Sequence, residues 1–341
     1  MSRFAVGIGS DFYDAEGIPK LPALRTAFLD LPEDVDIVTV QCSGGAYQCD
    51  VIHDVDALLM SGGACDASSL LNNDRLAVVC RWGVGYDTVN LKDCAEAGIV
   101  VANAPEGVRR SMAQTAMAFV LALAHRLFDQ DRAMRSGGCW PIKHQYIGTG
   151  LVGKTLGVVG LGNIGREILR VASVFDCEVI GYDPYADLSA GPVTRVELDE
   201  LMRRSDFIIL QCALTPETRG MINRERIAMM KPTAYLVNTS RGPVVEEPAL
   251  IEALQEKKIA GAALDVFMRE PLEEDSPLLK LDNVILTPHS AGWTDDFARR
   301  TAESISQTIR SIMNGELPAN AVNKRDLEES GVKPRYLRYR Q

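Results

Sequence analysis

The sequence predicts an α/β protein of two lobes with mostly parallel sheets. Short apolar runs alternate with helical patterns along the chain, which is typical of repeated strand–helix–strand units. Uninterrupted apolar runs such as Phe207–Leu210 favour strands that are covered on both faces of a sheet. The runs fall into two series, and the long apolar segment Ser111–His125 between them predicts a buried helix that joins the lobes.

Each series supplies the strands of one lobe. The candidate strands of the first lobe are Phe4–Ile8, Asp36–Val40, Ala57–Met60, Leu76–Cys80 and Ile99–Ala102. Those of the second lobe are Thr155–Gly160, Glu178–Tyr182, Phe207–Gln211, Ala234–Asn238, Gly261–Leu264 and Val284–Leu286. The other helix candidates are Ile164–Phe175, Leu198–Arg204, Glu247–Lys257 and Phe297–Asn314. Pro105 and Gly107 are typical of a loop, and the polar, Arg-rich segment after Asn323 predicts a loosely ordered tail.

Composition and charge exclude several classes of protein. The 341 residues include 36 Lys and Arg against 46 Asp and Glu, a formal net charge of −10 at pH 7. This acidic excess argues against partners such as nucleic acid or an anionic membrane surface. The length predicts about two domains.

The cysteines and the N-terminus indicate a cytoplasmic protein without a metal site. None of the 8 Cys forms a C-x-x-C pair and only 4 His are present, which is poor material for zinc. Scattered cysteines in a chain of this size are typical of reduced, buried thiols. The N-terminal residues lack a signal-peptide core, and the most apolar run, Ala116–Ala124, is too short to cross a membrane.

The strongest motif is a glycine-rich turn that follows a strand and begins a helix, with the sequence Gly-Leu-Gly-Asn-Ile-Gly. Gly160 permits the tight turn, Gly162 lets the backbone approach a pyrophosphate, and Gly165 lets helix and strand pack closely. The backbone of Asn163 and Ile164 lies at the helix start, where free N–H groups favour phosphate. The alternative is a turn that packs a helix and binds nothing.

An acidic residue at the end of the next strand supports the dinucleotide interpretation. Asp183 directly follows Glu178–Tyr182. A carboxylate at this place accepts hydrogen bonds from the adenosine ribose hydroxyls and repels a 2′-phosphate. The sequence therefore predicts NAD as the cofactor, in preference to NADP.

Three ionisable residues follow apolar strands of the second series. They are Arg241, Glu270 and His289. Because ligands bind beyond the carboxyl ends of strands in an open parallel sheet, the three side chains are expected to converge beside the cofactor. Histidine suits proton transfer to and from a hydroxyl, a carboxylate orients its ring, and arginine binds a carboxylate through a bidentate fork. From spacing alone, a surface ion pair, a solvated loop glutamate and a structural histidine remain open.

The motifs resemble those of the D-isomer-specific 2-hydroxyacid dehydrogenases, which include phosphoglycerate, D-lactate and glyoxylate/hydroxypyruvate enzymes. The resemblance covers roughly residues 4–322. The matching stretches begin at Arg81 (RWGVGYD), Val158 (VVGLGNIG), Leu214 (LTPETRG), Leu236 (LVNTSRGP), Ala263 (ALDVF), Glu270 (EPL) and Thr287 (TPHSAG).

The resemblance implies an NAD-dependent oxidoreductase that interconverts a small D-2-hydroxy acid and its 2-oxo acid. His289 is implied as the general acid and base, with Glu270 as its partner, and Arg241 is implied to hold the substrate carboxylate and carbonyl. Backbone N–H groups of Val84 and Gly85 are implied to complete the carboxylate cradle.

The resemblance also assigns cofactor contacts and architecture. Asp265 is implied to orient the nicotinamide carboxamide, and Thr215 and Thr239 to line the cofactor path. Two Rossmann-like or flavodoxin-like lobes are implied, in which an NAD-binding domain (104–290) is inserted into a discontinuous substrate-binding domain (1–103 and 291–341). The region His125–Ile147 resembles an arm through which relatives dimerise, so a homodimer is expected.

Several positions and one alternative function stay open. Gln114 and Gln211 depart from the Glu and His that many relatives carry. Arg109 or Arg110 is a candidate for binding a second anionic group of the substrate, and the alternative is a solvated pair at a helix start. Trp293 either caps the pocket or packs elsewhere. The alternative function is that of an NAD(H)-sensing, corepressor-like binding protein, because such relatives keep the same fold and site residues.

Overall fold

A computed structural model describes residues 3–14, 16–21, 31–43, 45–186 and 193–340. In chain order its strands are β1 (Ala5–Gly9), β2 (Asp36–Val40), β3 (Cys42–Ser43), β4 (Ala46–Tyr47), β5 (Ala57–Met60), β6 (Val78–Arg81), β7 (Val100–Ala102), β8 (Thr155–Val159), β9 (Glu178–Tyr182), β10 (Thr194–Arg195), β11 (Phe207–Leu210), β12 (Tyr235–Asn238), β13 (Gly261–Leu264) and β14 (Val284–Leu286). Its α-helices are α1 (Cys49–Ile52), α2 (Leu91–Glu96), α3 (Pro105–Ala124), α4 (Leu127–Ser136), α5 (Asn163–Ala172), α6 (Leu198–Arg204), α7 (Arg224–Met229), α8 (Glu247–Gln255), α9 (Asp295–Met313) and α10 (Lys324–Ser330).

The chain divides into two compact units. The first comprises Met1–Val108 and Thr294–Gln341, and the second comprises Arg109–Trp293. The second unit is thus an insertion within the sequence of the first. The sequence places the corresponding domain boundaries at 103/104 and 290/291, a few residues before those of the units.

The first unit is built on a parallel sheet with the order β2-β1-β5-β6-β7. Strand β1 pairs with β2 on one side and with β5 on the other. Its core is apolar and fully buried, and includes Ile52, Leu58 and Val79. Because the chain adds β2 on one side of β1 and then β5 to β7 on the other, the sheet order reverses between β1 and β5.

The second unit contains a larger parallel sheet with the order β10-β9-β8-β11-β12-β13-β14. Strand β11 pairs with β8 and β12, and all four of its residues are buried. This central position explains the uninterrupted apolar run Phe207–Leu210, since both faces of an internal strand are covered by helices. The predicted α/β class with parallel sheets is confirmed.

The predicted loop at Pro105 and Gly107 is wrong, because α3 already begins at Pro105. Proline is compatible with the first turn of a helix, where its missing N–H has no intrahelical acceptor. Gly107 allows a close approach, since a Cβ at this position would lie 2.8 Å from the backbone N of Thr301. Within the described part of the chain, no helix is long and apolar enough to cross a membrane.

The prediction of a loosely ordered tail is also wrong. Residues 324–330 form α10, and a 3-10 helix follows at Arg335–Tyr339. The hydroxyl of Tyr339 donates to Asp56 Oδ1 at 2.6 Å, and its ring meets Phe4 edge to face at 5.3 Å. Arg335 donates to the backbone carbonyl of Leu76 at 3.1 Å. Arg335 and Tyr339 therefore bind the tail to acceptors elsewhere in the first unit.

Replacing Tyr339 with phenylalanine should lower the free energy of unfolding by about 1–2 kcal/mol, because the buried Asp56 carboxylate loses a hydrogen bond. Burial raises the pKa of Tyr339, and the Asp56 carboxylate raises it further, so the phenol remains a donor. Urea unfolding followed by circular dichroism measures the change. Tyr336→Phe is the control, since the Tyr336 hydroxyl has no hydrogen bond within the described ranges. Equal stability of both variants would contradict the assigned contact.

Candidate active site

The predicted site residues of the second unit lie beyond the carboxyl ends of its strands. The glycine turn follows β8, Asp183 follows β9, Thr215 follows β11, Thr239 and Arg241 follow β12, Asp265 and Glu270 follow β13, and His289 follows β14. Parallel strands end at the same edge of a sheet, so these residues share one edge. The sheet order reverses between β8 and β11, which places the glycine turn at the switch point where such sheets bind ligands.

Two of the three glycines in the glycine turn are required by steric contacts. Gly160 has a φ of 93°, and a Cβ there would lie 2.6 Å from the backbone N of Cys212, in the loop after β11. A Cβ at Gly165 would collide with the carbonyl oxygen of Gly160. A Cβ at Gly162, by contrast, would meet nothing within 4 Å. The turn therefore leaves open space beside Gly162 at the N-terminus of α5.

The N-terminus of α5 keeps its donors available. Gly162 is the N-cap residue and supplies no side-chain cap. The first N–H groups of a helix have no intrahelical acceptor, so those of Asn163 and Ile164 are available to a ligand. The positive end of the helix dipole lies at the same place.

Asp183 fixes the glycine turn and the loop after β9. Its Oδ2 accepts from the N–H of Leu161 at 2.8 Å, and its Oδ1 accepts from the N–H groups of Tyr185 and Ala186. A carboxylate has about four acceptor positions, so three backbone bonds leave capacity for a ribose hydroxyl.

The two threonines differ in their surroundings. Thr239 is buried and donates through its hydroxyl to Gln211 Oε1 at 2.8 Å, which links the ends of β12 and β11. Thr215 is exposed, and its N–H donates to the hydroxyl of Thr218 at 2.7 Å within the same turn. Thr215 thus shapes its loop, a role that the sequence alone did not indicate.

Arg241 is presented by a tightly held turn after β12. The Asn238 amide donates to the carbonyl oxygen of Arg241 at 3.1 Å, and Asn238 Oδ1 accepts from the N–H of Ser240. The Arg241 guanidinium donates to the carbonyl oxygen of Ser240 at 2.8 Å. Its positive charge also acts on Glu270, so the two side chains are electrostatic neighbours.

His289 and Glu270 form a direct pair. His289 Nδ1 lies 2.7 Å from Glu270 Oε2, and the other carboxylate oxygen accepts from the N–H of Phe267 at 3.0 Å. The His289 and Glu270 side chains are 47% and 36% exposed, respectively, so a small molecule can reach them. The carboxylate fixes Nδ1, which leaves Nε2 as the ring nitrogen available for proton exchange.

Asp265 positions the histidine loop. His289 has a φ of 53°, an uncommon value for a residue other than glycine. The carbonyl oxygen of Asp265 accepts from the N–H of His289 at 2.8 Å, and Asp265 Oδ1 accepts from Thr287, Ser290 and Ala291. This role of Asp265 was not visible from spacing, because it depends on the fold of β13 against β14.

The pKa values of Glu270 and Asp265 are shifted in opposite directions. Burial raises the pKa of Glu270. Hydrogen bonds from His289 and Phe267 and the charges of His289 and Arg241 lower it by a larger amount, so the net pKa lies below its ordinary value. Burial dominates at Asp265 and raises its pKa despite the bonds from Thr287, Ala291 and Ser290. Glu270 is therefore held ionised beside the histidine.

In the first unit, Val84 and Gly85 lie in the loop after β6. Asn103 donates to the carbonyl oxygen of Val84 at 3.0 Å, and Arg81 donates to that of Gly85 at 3.0 Å. The two N–H groups have no acceptor among the residues that the structure describes. Fixed carbonyls with unused donors make this loop suitable for binding an anion.

Arg110 and Trp293, two of the residues left open by the sequence, are largely exposed. Arg110 lies 3.8 Å from Glu167 and is more than half exposed. Trp293 is also about half exposed, and its N–H donates to the carbonyl oxygen of Ser290 at 2.8 Å. In the described ranges, no group of three or more His, Cys, Asp or Glu side chains could hold a metal ion.

Comparison with known proteins identifies the family. Residues 117–291 match the family described as D-isomer specific 2-hydroxyacid dehydrogenase, NAD binding domain. The chain is 42% identical over 277 residues to D-3-phosphoglycerate dehydrogenase of Methanocaldococcus jannaschii, covering 80% of this chain and 52% of the relative. It is 39% identical over 281 residues to glyoxylate reductase of Korarchaeum cryptofilum, covering 80% and 84% of the two chains. It spans about half the length of the phosphoglycerate dehydrogenases that it matches.

Solved structures agree with these matches. D-lactate dehydrogenase from Aquifex aeolicus, complexed with NAD and lactic acid, superposes with a TM-score of 0.78 at 28% identity, covering 93% of this chain and 99% of that one. The resemblance derived from the motifs is thus confirmed. The chain belongs to the D-isomer specific 2-hydroxyacid dehydrogenase family, and its second unit contains the NAD-binding domain of that family.

Proposed function

We propose that the chain is an NAD-dependent dehydrogenase that interconverts a small D-2-hydroxy acid and its 2-oxo acid. The observation that carries this proposal is the His289–Glu270 pair, with Arg241 as its electrostatic neighbour, at the sheet edge that also carries the glycine turn. Such a set can transfer a proton and bind a carboxylate next to a dinucleotide.

The second unit is proposed as the cofactor domain and the first as the substrate-binding domain. Gly160, Gly162 and Gly165, with the backbone of Asn163 and Ile164, would hold the pyrophosphate, and Asp183 the adenosine ribose. Asp265 would orient the nicotinamide carboxamide, and Thr215 and the buried Thr239 would line the cofactor path. When bound, NAD accepts or supplies the hydride of the reaction.

His289 is proposed to exchange the proton of the substrate oxygen through Nε2. In reduction it donates a proton to the developing alkoxide, and in oxidation it accepts one from the hydroxyl. Glu270 keeps Nδ1 bonded and stabilises the charged ring, so that the proton enters and leaves at one nitrogen.

The substrate carboxylate is proposed to bind Arg241 and the N–H groups of Val84 and Gly85. A guanidinium fork matches the two oxygens of a carboxylate, and it polarises the adjacent carbonyl. The two backbone donors of the first unit are already fixed by bonds to their carbonyl groups.

A homodimer is proposed as the assembly. Helix α4 has no buried residue. Large apolar side chains around it, including Phe128, Met134, Trp140 and Ile147, are more than half exposed. Exposed apolar clusters of this kind are typical of protein interfaces.

The eight free cysteines support a reducing compartment such as the cytoplasm.

Replacing Asp183 with serine should shift the ratio of kcat/KM for NADH over NADPH towards NADPH by about tenfold or more, since a carboxylate repels the 2′-phosphate. Initial rates with both cofactors measure the ratio. Asp275→Ser, at an exposed position in the same unit, should leave it unchanged. A variant that keeps the ratio of the wild type would refute the ribose assignment.

The handedness of the product tests the proposed reaction. Reduction of pyruvate should yield D-lactate, which chiral chromatography separates from its enantiomer. Formation of L-lactate would contradict the proposal, whatever the rate.

A further inference from the structure

The five-stranded sheet of the first unit has a ligand-binding edge of its own. Its strand order reverses between β1 and β5, and open α/β sheets bind ligands beyond the carboxyl ends of the strands at such a point. The loop after β1 contains Asp11, and the loop after β5 is formed by residues 61–64. Asp11 therefore lies at the switch point of this sheet.

Asp11 joins the two sides of the switch point. Its Oδ2 accepts from the hydroxyl of Ser61 at 2.8 Å and from the N–H of Gly62 at 2.7 Å. Its Oδ1 accepts from the hydroxyl of Tyr47 at 3.0 Å. Burial raises the pKa of Tyr47, as does the Asp11 charge, so this phenol stays a donor. Three donors around one side chain fit a carboxylate, which only accepts.

The loop that Asp11 holds lies beside the proposed carboxylate-binding loop. Strand β5 pairs with β6, and the N–H of Trp82 donates to the carbonyl oxygen of Met60 at 2.9 Å where the two strands end. The ring of Trp82 also contacts Phe12, next to Asp11, with centroids 5.5 Å apart. Residues 61–63 are partly exposed, and because β5 and β6 are neighbours in the sheet, the loop that they form is adjacent to the loop of Val84 and Gly85.

On the side of β1 and β5, Asp11 supplies a negative charge to this edge. Residues 61–64 read Ser-Gly-Gly-Ala and carry no charge. Lys20 binds the backbone carbonyl of Asp11 at 3.1 Å, not its carboxylate. Arg81 is buried and donates to the carbonyl oxygen of Gly85, and its positive charge also acts on Tyr47.

We propose that Asp11 is a positioning residue that determines substrate specificity. It fixes residues 61–63 beside the donors of Val84 and Gly85, and its charge disfavours a second anionic group on the substrate. The substrate is then a short 2-oxo acid with an uncharged tail. This inference rests on the proposed function, through the assignment of Val84 and Gly85 as carboxylate donors.

Two variants separate charge from positioning. Asp11→Asn keeps a carbonyl oxygen for Ser61 and Gly62 but removes the charge, whereas Asp11→Ala removes both. The substrates are hydroxypyruvate and its phosphate ester, which differ by one anionic group. Asp36→Asn is the control, because Asp36 begins β2 at the opposite edge of the same sheet and pairs with Arg3.

Wild type should prefer hydroxypyruvate in kcat/KM. Asp11→Asn should reduce this preference by about tenfold, mainly through a lower KM for the ester, with KM for NADH unchanged. Asp11→Ala should raise KM for hydroxypyruvate by about tenfold, whereas Asp11→Asn should keep this KM near its wild-type value. Asp36→Asn should match wild type in all these values.

The failures of the two proposals are distinguishable. A wild-type preference for the ester, or an Asp11→Asn enzyme that reduces hydroxypyruvate with an unchanged preference, would overturn the role of Asp11 and leave the proposed reaction intact. Absence of NADH oxidation by wild type with any 2-oxo acid would overturn the proposed reaction, and the inference with it. If Asp11→Ala does not fold, the preference of Asp11→Asn still decides the matter.

Discussion

Replacing His289 with asparagine is expected to lower kcat by about 10²–10⁴-fold while leaving NADH affinity within about threefold of wild type. The variant removes the ring nitrogen that is proposed to exchange the substrate proton. Asparagine is preferred to alanine because His289 has a φ of 53°, which asparagine adopts more readily. Single-turnover rates and NADH fluorescence titration measure the two quantities.

His53→Asn is the matched control for His289. His53 is about half exposed in the first unit, and its Nδ1 contacts the carbonyl oxygen of Asp50 at 2.8 Å. Its replacement should leave kcat unchanged. Loss of NADH binding in a folded His289→Asn protein would assign the histidine to the cofactor instead of the proton, and wild-type turnover would remove it from the mechanism.

Replacing Arg241 with methionine is expected to lower kcat/KM for the 2-oxo acid by about 10²–10⁴-fold. A hydrogen bond to a charged group contributes about 1.5–3 kcal/mol, and a bidentate fork supplies two. Arg241→Lys keeps the charge but loses the fork, so an intermediate loss of about 10–100-fold is expected. KM for NADH should stay at its wild-type value in both variants.

A second effect distinguishes Arg241 from a merely structural arginine. Its charge helps to hold the pKa of Glu270 low, so removing it should raise that pKa and move the loss of activity at acid pH to higher pH. Arg269→Met, in an exposed ion pair with Glu273, is the control. Equal losses in the two variants would show that Arg241 has no special role.

The sheets could be predicted because their signals are local. The strands Glu178–Tyr182, Gly261–Leu264 and Val284–Leu286 have the predicted bounds, since each is a short apolar run ended by polar residues. The site residues that follow the strands could also be predicted as a group, because parallel strands bring their carboxyl ends to one edge of the sheet. The steric need for glycine was predicted correctly at two positions of the turn, since the structure shows collisions that exclude a Cβ at Gly160 and Gly165.

The features that could not be predicted depend on contacts between distant residues. Tyr339 is ordered by Asp56, which no local pattern connects to it. Gly107 lies within a helix at a position where the close approach of Thr301 excludes a Cβ. In the sequence, nothing distinguishes Asp11 from other polar residues that follow a strand. Its role depends on the fold, which brings Ser61 and Gly62 after β5 against its carboxylate. Local sequence propensity cannot indicate which residues that are distant in the sequence will be in contact in the fold.

The central claim, that the chain reduces a small 2-oxo acid with NADH, is tested most directly by following the loss of NADH absorbance. The substrates are glyoxylate, hydroxypyruvate, pyruvate, 2-oxoglutarate, phosphohydroxypyruvate and sulfopyruvate. We predict rapid oxidation with at least one acid that carries a single anionic group, and its loss in His289→Asn. Tight NADH binding with no oxidation by any acid would contradict the claim and favour an NAD(H)-sensing protein.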